Sequence, residues 1–271
     1  MNTENDAYHS DVARVSNSML SLLKQSPRLF YNRYELGQTQ KATKAMELGS
    51  LLHTMVLEPQ EVIERFAVMP DVDRRYKEGK AIAAAFYEQS KGKTIIASDD
   101  FGNAAIMATQ VRAHPEFAWA LNHEVRRIEQ RIDFEFDGML CRCKPDMIVP
   151  DVIFDVKTTE DASPNEFMRS VLKFGYHRQA AFYREAVLQD TGMFCRFIFV
   201  AVAKSEPWDC AVYELDNAAM RAGMNEISML LEEYRNRKFA NDWDQVWSRG
   251  VVPLQLPKWY RSNIYEVSEM V

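Results

Sequence analysis

The chain has 271 residues, of which 47% are hydrophobic, and a formal net charge of −6 at pH 7. This is enough apolar material for the core of one large domain or two small ones. The acidic balance argues against a protein that coats nucleic acid broadly. It leaves room for a local basic channel, because the field near a site depends on how the charges are arranged.

Other exclusions concern the cell compartment and the domain count. No apolar run approaches the roughly 20 residues of a membrane-spanning helix, and the polar segment 1–10 does not resemble a signal peptide. The four cysteines show no CxxC spacing, so we expect buried free thiols in a reducing, cytoplasmic setting without membrane contact. No linker or repeat divides the chain, which favours a single domain over 1–271, with a helical part over about 15–121 and a sheet core over about 125–237.

The N-terminal part shows signals of helix starts and ends. Ser26 followed by Pro27 is typical of an N-cap with proline at the first helical position. Pro59 ends the helical pattern that precedes it. Helices are predicted over 18–24, 26–34, 41–57, 76–89 and 100–121.

The second half of the chain alternates between strand and helix patterns. Apolar and charged residues alternate over 128–136, which predicts a strand, and Asp137-Gly138 is a strong hairpin turn into 139–149. The stretch 152–157 is a further strand. Additional strands are predicted over 194–203 and 209–215, and helices over 164–172, 176–189 and 217–237. This order predicts an α/β (α+β) fold with a central mixed sheet flanked by helices.

The most informative residues are Asp146, Asp155 and Lys157. Asp155 and Lys157 project to the same side of a strand, because side chains alternate along it. Surface charge is the alternative, since a D-x-K triplet is common, but this strand is otherwise apolar and unpaired charges there are costly. Two carboxylates that share a hard cation, with an ammonium beside them, are what metal-assisted phosphodiester cleavage requires.

Four more residues are weaker candidates, each with a plain structural alternative. Gln179 and Tyr183 are one turn apart on a predicted helix and share a face, although ordinary helix packing is the commoner explanation of such a pair. His53 lies on an apolar helix, where a core histidine is the commoner case, but Gly49 one turn earlier indicates a close approach. Glu129 falls on the polar side of its predicted strand, where a solvated residue is the simpler interpretation.

Taken in order, these residues resemble the PD-(D/E)XK nuclease superfamily, with its restriction-endonuclease-like core. Within it they are most similar to the nuclease domain of the RecE-type phage and prophage exonucleases (the exonuclease VIII family). Asp155 stands where many members carry glutamate, which the motif allows. The motifs that carry the resemblance are Ser16-Asn-Ser-Met-Leu20, Ser26-Pro27, Gly49-x-x-x-His53, Glu129, Lys144-Pro145-Asp146, Asp155-Val156-Lys157-Thr158-Thr159 and Gln179-x-x-x-Tyr183.

The resemblance implies a Mg²⁺-dependent 5′-to-3′ exonuclease on linear double-stranded DNA, with Mn²⁺ as a substitute. Such an enzyme leaves 3′ single-stranded tails for recombination by strand annealing. Its implied partners are double-stranded DNA ends, a RecT-like annealing protein and further copies of the chain in a tetrameric ring. The setting implied is the cytoplasm of a bacterial host of a phage or prophage. An endonuclease or strand-nonspecific nuclease of the superfamily, or a non-catalytic DNA-end-binding module, is the alternative.

The resemblance also assigns roles to residues. Asp146 and Asp155 would hold Mg²⁺ with the backbone carbonyl of Val156, and His53 would complete the metal shell or orient a ligand water. Lys157 would activate the attacking water. The remaining assignments are Gln179 and Tyr183 for positioning Lys157 or the DNA strand, Glu129 for a second metal or a water, and Ser18, Arg28 and Arg178 for gripping DNA.

Overall fold

A five-stranded mixed sheet lies at the centre of the protein, whose computed structural model describes residues 8, 10–39, 41–244 and 250–256. Its strands, in spatial order, are β3 (Arg127–Ile128), β6 (Met147–Val149), β7 (Val152–Thr159), β8 (Arg196–Ala203) and β9 (Cys210–Glu214). The middle strands β7 and β8 are parallel, and the other neighbours are antiparallel. The described residues also form two smaller sheets, the parallel pair β1 (Phe66–Val68) and β2 (Thr94–Ile96) and the hairpin β4 (Ile132–Phe136) and β5 (Met139–Cys143).

Helices surround this sheet. The N-terminal helices are α1 (Asn17–Gln25), α2 (Pro27–Phe30), α3 (Lys44–Leu57), α4 (Val62–Arg65), α5 (Lys77–Gln89), α6 (Ser98–Ala113) and α7 (Pro115–Leu121). A π-helical turn (Tyr31–Glu35) follows α2, and a 3-10 turn (Pro59–Glu61) follows α3. The later helices are α8 (Pro164–Phe174), α9 (Tyr176–Thr191) and α10 (Asn217–Ala240). None of the helices in the described part of the chain combines the length and the hydrophobicity of a membrane-spanning segment.

Each face of the sheet has its own apolar core. Along β7, Ile153 points into a core shared with α9 and α10, whereas Phe154 and Val156 point into a core shared with α3 and α6. This alternation follows from the two-residue period of a strand. The predicted α/β fold with a mixed, helix-flanked sheet is confirmed. The charged residues of β7 therefore lie in a strand that is covered on both sides.

The predicted hairpin is also confirmed. The strands β4 and β5 pair in antiparallel register, with Phe136 opposite Met139. Asp137 and Gly138 have φ angles of 48° and 73°. Positive φ at both central residues is the geometry that a tight hairpin turn requires.

Three predicted elements were wrong in their extent. The helix expected over 100–121 is broken after Ala113 because Pro115 cannot continue the preceding hydrogen-bond ladder. The strand expected over 128–136 is two strands in different sheets, and the one expected over 139–149 divides into β5 and β6. The pair β1–β2 and the helix α4 were not predicted at all. The single-domain boundary at 1–271 stays a prediction.

Candidate active site

The antiparallel pairing of β6 and β7 brings the two aspartates together. Met147 is opposite Phe154, so Asp146, which immediately precedes β6, lies beside Asp155 on β7. Oδ2 of Asp146 accepts a hydrogen bond from the backbone N–H of Val156 at 2.7 Å. The nine-residue spacing in the sequence thus becomes direct adjacency in the fold.

Asp155 is fully buried and is held by two side chains. Nε2 of Gln179, on α9, donates a hydrogen bond to its Oδ1 at 2.8 Å. Nζ of Lys157 forms an ion pair with its Oδ2. The same ammonium lies 5.0 Å from the ring centroid of Tyr176. Lys157 is therefore fixed between a buried carboxylate and an aromatic ring.

His53 reaches the same place from α3 on the other side of the sheet. Its Nε2 donates a hydrogen bond to the backbone carbonyl of Val156 at 2.8 Å. Its Nδ1 lies 3.4 Å from Oδ2 of Asp146 and 4.0 Å from Oε1 of Glu129. A Cβ placed on Gly49, one turn earlier, would meet nothing within 4 Å, so the helix face beside His53 is open.

Glu129 enters the site because its backbone leaves the strand. Its φ angle is 49°, in the left-handed region that a non-glycine residue adopts only at a cost. Its N–H donates to the carbonyl of Asp146 at 3.1 Å, and its Oε2 pairs with Nζ of Lys144 at 2.6 Å. Oε1 is thereby directed toward His53. The solvated-strand interpretation of Glu129 does not describe this geometry.

Together, one ligand atom each from His53, Glu129 and Asp146 lies within 4.8 Å of the other two. Ligands at about 2.1 Å from Mg²⁺ are separated by roughly 3–4 Å, so these spacings fit a small divalent cation. Two carboxylates favour Mg²⁺ or Mn²⁺, and the imidazole of His53 favours Mn²⁺ of the two, because it is a transition metal. Ligation by Asp155 and by the Val156 carbonyl stays a prediction.

The charges of the site are strongly coupled. Burial raises the pKa of Asp155 to about 6 despite the opposing charge of Lys157. The pKa of Asp146 is lowered, because the charge of His53 and a hydrogen bond from it outweigh the effect of burial. Burial alone would lower the pKa of His53, but the carboxylates of Asp146 and Glu129 raise it to about 10. The site is therefore arranged to hold positive charge between its carboxylates.

The other predicted site residues differ in how near they lie to this cluster. Tyr183 is half-buried, with its ring centroid 6.3 Å from that of Phe197. Burial raises the pKa of Tyr183, and the negative charges of Asp155 and Asp146 add to this shift. Ser18 is exposed, with its Oγ 2.9 Å from Oγ of Ser16 at the start of α1. Arg28 is exposed on α2. The roles assigned to these three residues stay predictions.

Arg178 lies in a position that disfavours a direct DNA contact. Its side chain is only 2% exposed and forms an ion pair with Glu226 of α10. It also donates hydrogen bonds to Oδ1 of Asn17 at 3.1 Å and to Oγ of Ser21 at 2.6 Å. Arg178 thus ties α1, α9 and α10 together.

Two residues of the site were not given a role by the sequence reasoning. Lys144 pairs with Glu129. The sequence feature that could have indicated a role for Lys144 is its position immediately before Pro145-Asp146. Tyr176 lies against Lys157. The sequence feature that could have indicated a role for Tyr176 is its position one helical turn before Gln179. Neither feature specifies the contact, because each partner lies on a separate segment that only the tertiary fold brings close.

The fold is that of the PD-(D/E)XK nuclease superfamily. Residues 16–245 match the family described as "PDDEXK-like domain of unknown function (DUF3799)", so the chain belongs to this family. The narrower resemblance to RecE-type exonucleases stays a prediction. No curated protein matches the chain.

Among solved structures, the chain is similar to the one named "Putative exonuclease" from Eubacterium rectale. The two share 14% sequence identity with a TM-score of 0.63, over 100% of this chain and 99% of that one. At this identity the match supports the fold alone. An alkaline exonuclease from Laribacter hongkongensis matches at 17% identity over 85% of this chain and 95% of that one, with a TM-score of 0.32 that carries no argument.

Proposed function

We propose that this protein is a metal-dependent deoxyribonuclease that shortens linear double-stranded DNA from its 5′ ends, with Mg²⁺ as the cofactor and Mn²⁺ as a substitute. The observation that carries the proposal is that Asp146, which immediately precedes β6, lies beside Asp155 on the adjacent strand β7, with Lys157 paired to the second aspartate. His53 and Glu129 complete a set of donors suited to a divalent cation.

The reaction proposed is hydrolysis of a phosphodiester. The oxygen of a water forms a bond to phosphorus, the bond between phosphorus and the 3′ oxygen breaks, and that oxygen takes up a proton. When bound, the divalent cation supplies Lewis-acid polarisation of the phosphate and lowers the pKa of a bound water.

The protein's own residues hold the reacting groups. Lys157 carries a fixed positive charge beside the site, because the negative charges of Asp155 and Asp146 overcome the effect of burial and raise its pKa. This ammonium orients the attacking water and offsets charge that develops on the phosphate. Gln179 occupies the second oxygen of Asp155, so that carboxylate cannot rotate away from Lys157.

The presence of Asp155 and Lys157 favours an enzyme over a non-catalytic DNA-end-binding module. Such a module has no need for Asp155 or Lys157, and both are present and paired. The family resemblance supports the further proposals of a RecT-like annealing partner, a tetrameric ring around DNA and action in the cytoplasm of a phage or prophage host.

The decisive experiment compares two substrates with the same sequence. Linear duplex labelled at its 5′ or its 3′ ends is incubated with protein and Mg²⁺ beside a covalently closed circle. We expect early release of 5′ label, retention of 3′ label and an intact circle, with no reaction in excess EDTA or with Lys157→Ala. Rapid nicking of the circle would assign the protein to the endonucleases, and binding without cleavage would support the end-binding module.

A further inference from the structure

A row of aromatic side chains leads from Lys157 to the protein surface. The Tyr176 ring lies 5.0 Å from Nζ of Lys157. The Phe174 ring stacks on the Tyr176 ring, with centroids 5.6 Å apart and planes inclined by 29°. The inner end of this row is at the proposed reaction centre, and Phe174 is at its outer end.

The core holds the inner ring in place. The ring centroid of Tyr176 is 5.7 Å from that of Phe199 on strand β8 of the central sheet and 6.1 Å from that of Phe167 on α8. Phe174, in contrast, is 52% exposed. Gly175, with a φ angle of 69°, makes the turn between α8 and α9 that places the two rings on each other. An exposed ring on a rigid base loses little conformational entropy when a flat ligand stacks on it.

Positive charge accompanies these rings. Nζ of Lys173 lies 5.2 Å from the ring centroid of Phe174, and Nζ of Lys157 is beside Tyr176. Aromatic rings interleaved with ammonium groups are the surface that single nucleic-acid strands prefer, because bases stack while the cations pair with phosphates. The side chain of Lys173 is long and flexible, so a base can take its place over the ring while the ammonium turns to a phosphate.

We propose that Phe174, supported by Tyr176, is a stacking platform for a base of the strand being cut, within a few nucleotides of the cleaved phosphodiester. The inference rests on the proposed function for the identity of its ligand. The platform positions the strand: the base stacks on the ring of Phe174, and a phosphate lies beside the proposed metal ligands His53, Glu129 and Asp146. Lys173 contacts the backbone of the same nucleotide.

The chain provides a matched control. Phe194 is 65% exposed and has the guanidinium of Arg184 4.4 Å from its ring centroid, so it too is an exposed ring beside a cation. It follows the other end of α9, roughly 24 Å of helix away from Phe174. Phe174→Leu and Phe194→Leu both remove an exposed ring and keep an apolar side chain. Phe174→Trp keeps an aromatic surface at the platform.

The test measures the Kd for duplexes with short 5′-overhanging or blunt ends, in Ca²⁺ so that binding is separated from turnover. An abasic nucleotide is placed in turn at each of the first four positions from the 5′ end of the strand that is proposed to be cut. We expect Phe174→Leu to raise the Kd by roughly fivefold or more, the scale of one lost stacking contact. Phe174→Trp and Phe194→Leu should bind as the wild type does. At one abasic position, the difference between wild type and Phe174→Leu should disappear.

Several results would overturn the platform. Equal affinities of wild type and Phe174→Leu would do so, as would a loss that no abasic position removes. A lower molecular mass of Phe174→Leu by light scattering, with DNA affinity lost alongside, would assign the surface to contact with a second copy of the chain. Absence of DNA binding by the wild type would remove both proposals. The expected binding pattern without cleavage in Mg²⁺ would support the platform and remove only the proposed hydrolysis.

Discussion

The backbone N–H of Val156 donates a hydrogen bond to Oδ2 of Asp146, 2.7 Å away, and this contact joins β7 to the residue that precedes β6. The same oxygen lies 3.4 Å from Nδ1 of His53. Asp146 therefore has two roles: it accepts a hydrogen bond from the backbone of β7, and it is a proposed ligand of the cation. A substitution that keeps the first role and removes the second tests the site.

Asp146→Asn makes that separation. The amide oxygen still accepts the hydrogen bond from Val156, so we expect a melting temperature close to that of the wild type. The negative charge is lost, and we expect Mg²⁺ and Mn²⁺ affinity to fall by at least 10–100-fold, the scale of a disturbed metal site. Calorimetric titration of metal into both proteins measures this. Asp133→Asn, in a surface ion pair with Arg14, is the control, and equal metal affinity in all three proteins would refute the assignment.

The second prediction concerns Lys157→Ala. We expect a folded protein that binds metal and DNA but whose single-turnover cleavage is slower by about 10²-fold or more, as for the removal of a positioned catalytic group. Lys204→Ala is the matched control, because Lys204 pairs with Glu160 and follows the neighbouring strand β8. If Lys157→Ala cleaves duplex DNA at nearly the wild-type rate, the lysine has a structural role only.

Alternation along a strand made the centre of this site predictable. Asp155 and Lys157 share a side of β7 because of a backbone period that the sequence displays directly. The hairpin at Asp137-Gly138 was equally local, since it depends on two residues that tolerate positive φ.

Contacts between distant residues were not predictable in the same way. Glu129 appeared to continue an alternating strand, and only its left-handed backbone, stabilised by the carbonyl of Asp146, turns it into the site. Arg178 appeared to be a cation available to DNA. Its burial depends on Glu226, which lies 48 residues later in the chain. No local pattern encodes such a pair, because its energy comes from tertiary packing.

The third prediction uses this pair, in which Arg178 is buried and Glu226 is partly exposed. Glu226 accepts hydrogen bonds from Arg178, from Nζ of Lys24 at 3.0 Å and from Nε2 of His177 at 3.1 Å. Glu226→Ala leaves the Arg178 guanidinium buried without its negatively charged partner, which we expect to lower the free energy of unfolding by about 3 kcal/mol. Glu214→Ala, which breaks the exposed pair with Arg196, should cost no more than about 1 kcal/mol. Urea denaturation measures both.

This contribution should depend on pH. The pKa of Glu226 is lowered from its ordinary value of 4.5, because hydrogen bonding by Lys24 and the charge of Arg178 outweigh burial. A carboxyl group with a lower pKa in the folded state stabilises the fold above its unfolded pKa. The stability difference between wild type and Glu226→Ala should therefore be full at pH 7 and shrink as the pH falls below about 4.5. Equal stability losses for Glu226→Ala and Glu214→Ala would show that the pair of Arg178 and Glu226 has no special role.

The last prediction concerns His53, for which a metal role and a core role give opposite results. Its side chain is 26% exposed, whereas Leu52, its neighbour on α3, is fully buried. Removing the imidazole also removes the hydrogen bond to the Val156 carbonyl, a loss of about 0.5–1.5 kcal/mol. We therefore expect His53→Ala to melt near the wild-type temperature, to need a higher Mg²⁺ concentration for half-maximal cleavage and to cleave far more slowly. Leu52→Ala is the control for a core residue, with a stability loss of about 2–5 kcal/mol and an unchanged Mg²⁺ profile for the folded fraction. Melting curves and Mg²⁺ titrations on both variants decide the matter, and a His53→Ala protein that behaves like Leu52→Ala would exclude the histidine from the metal site.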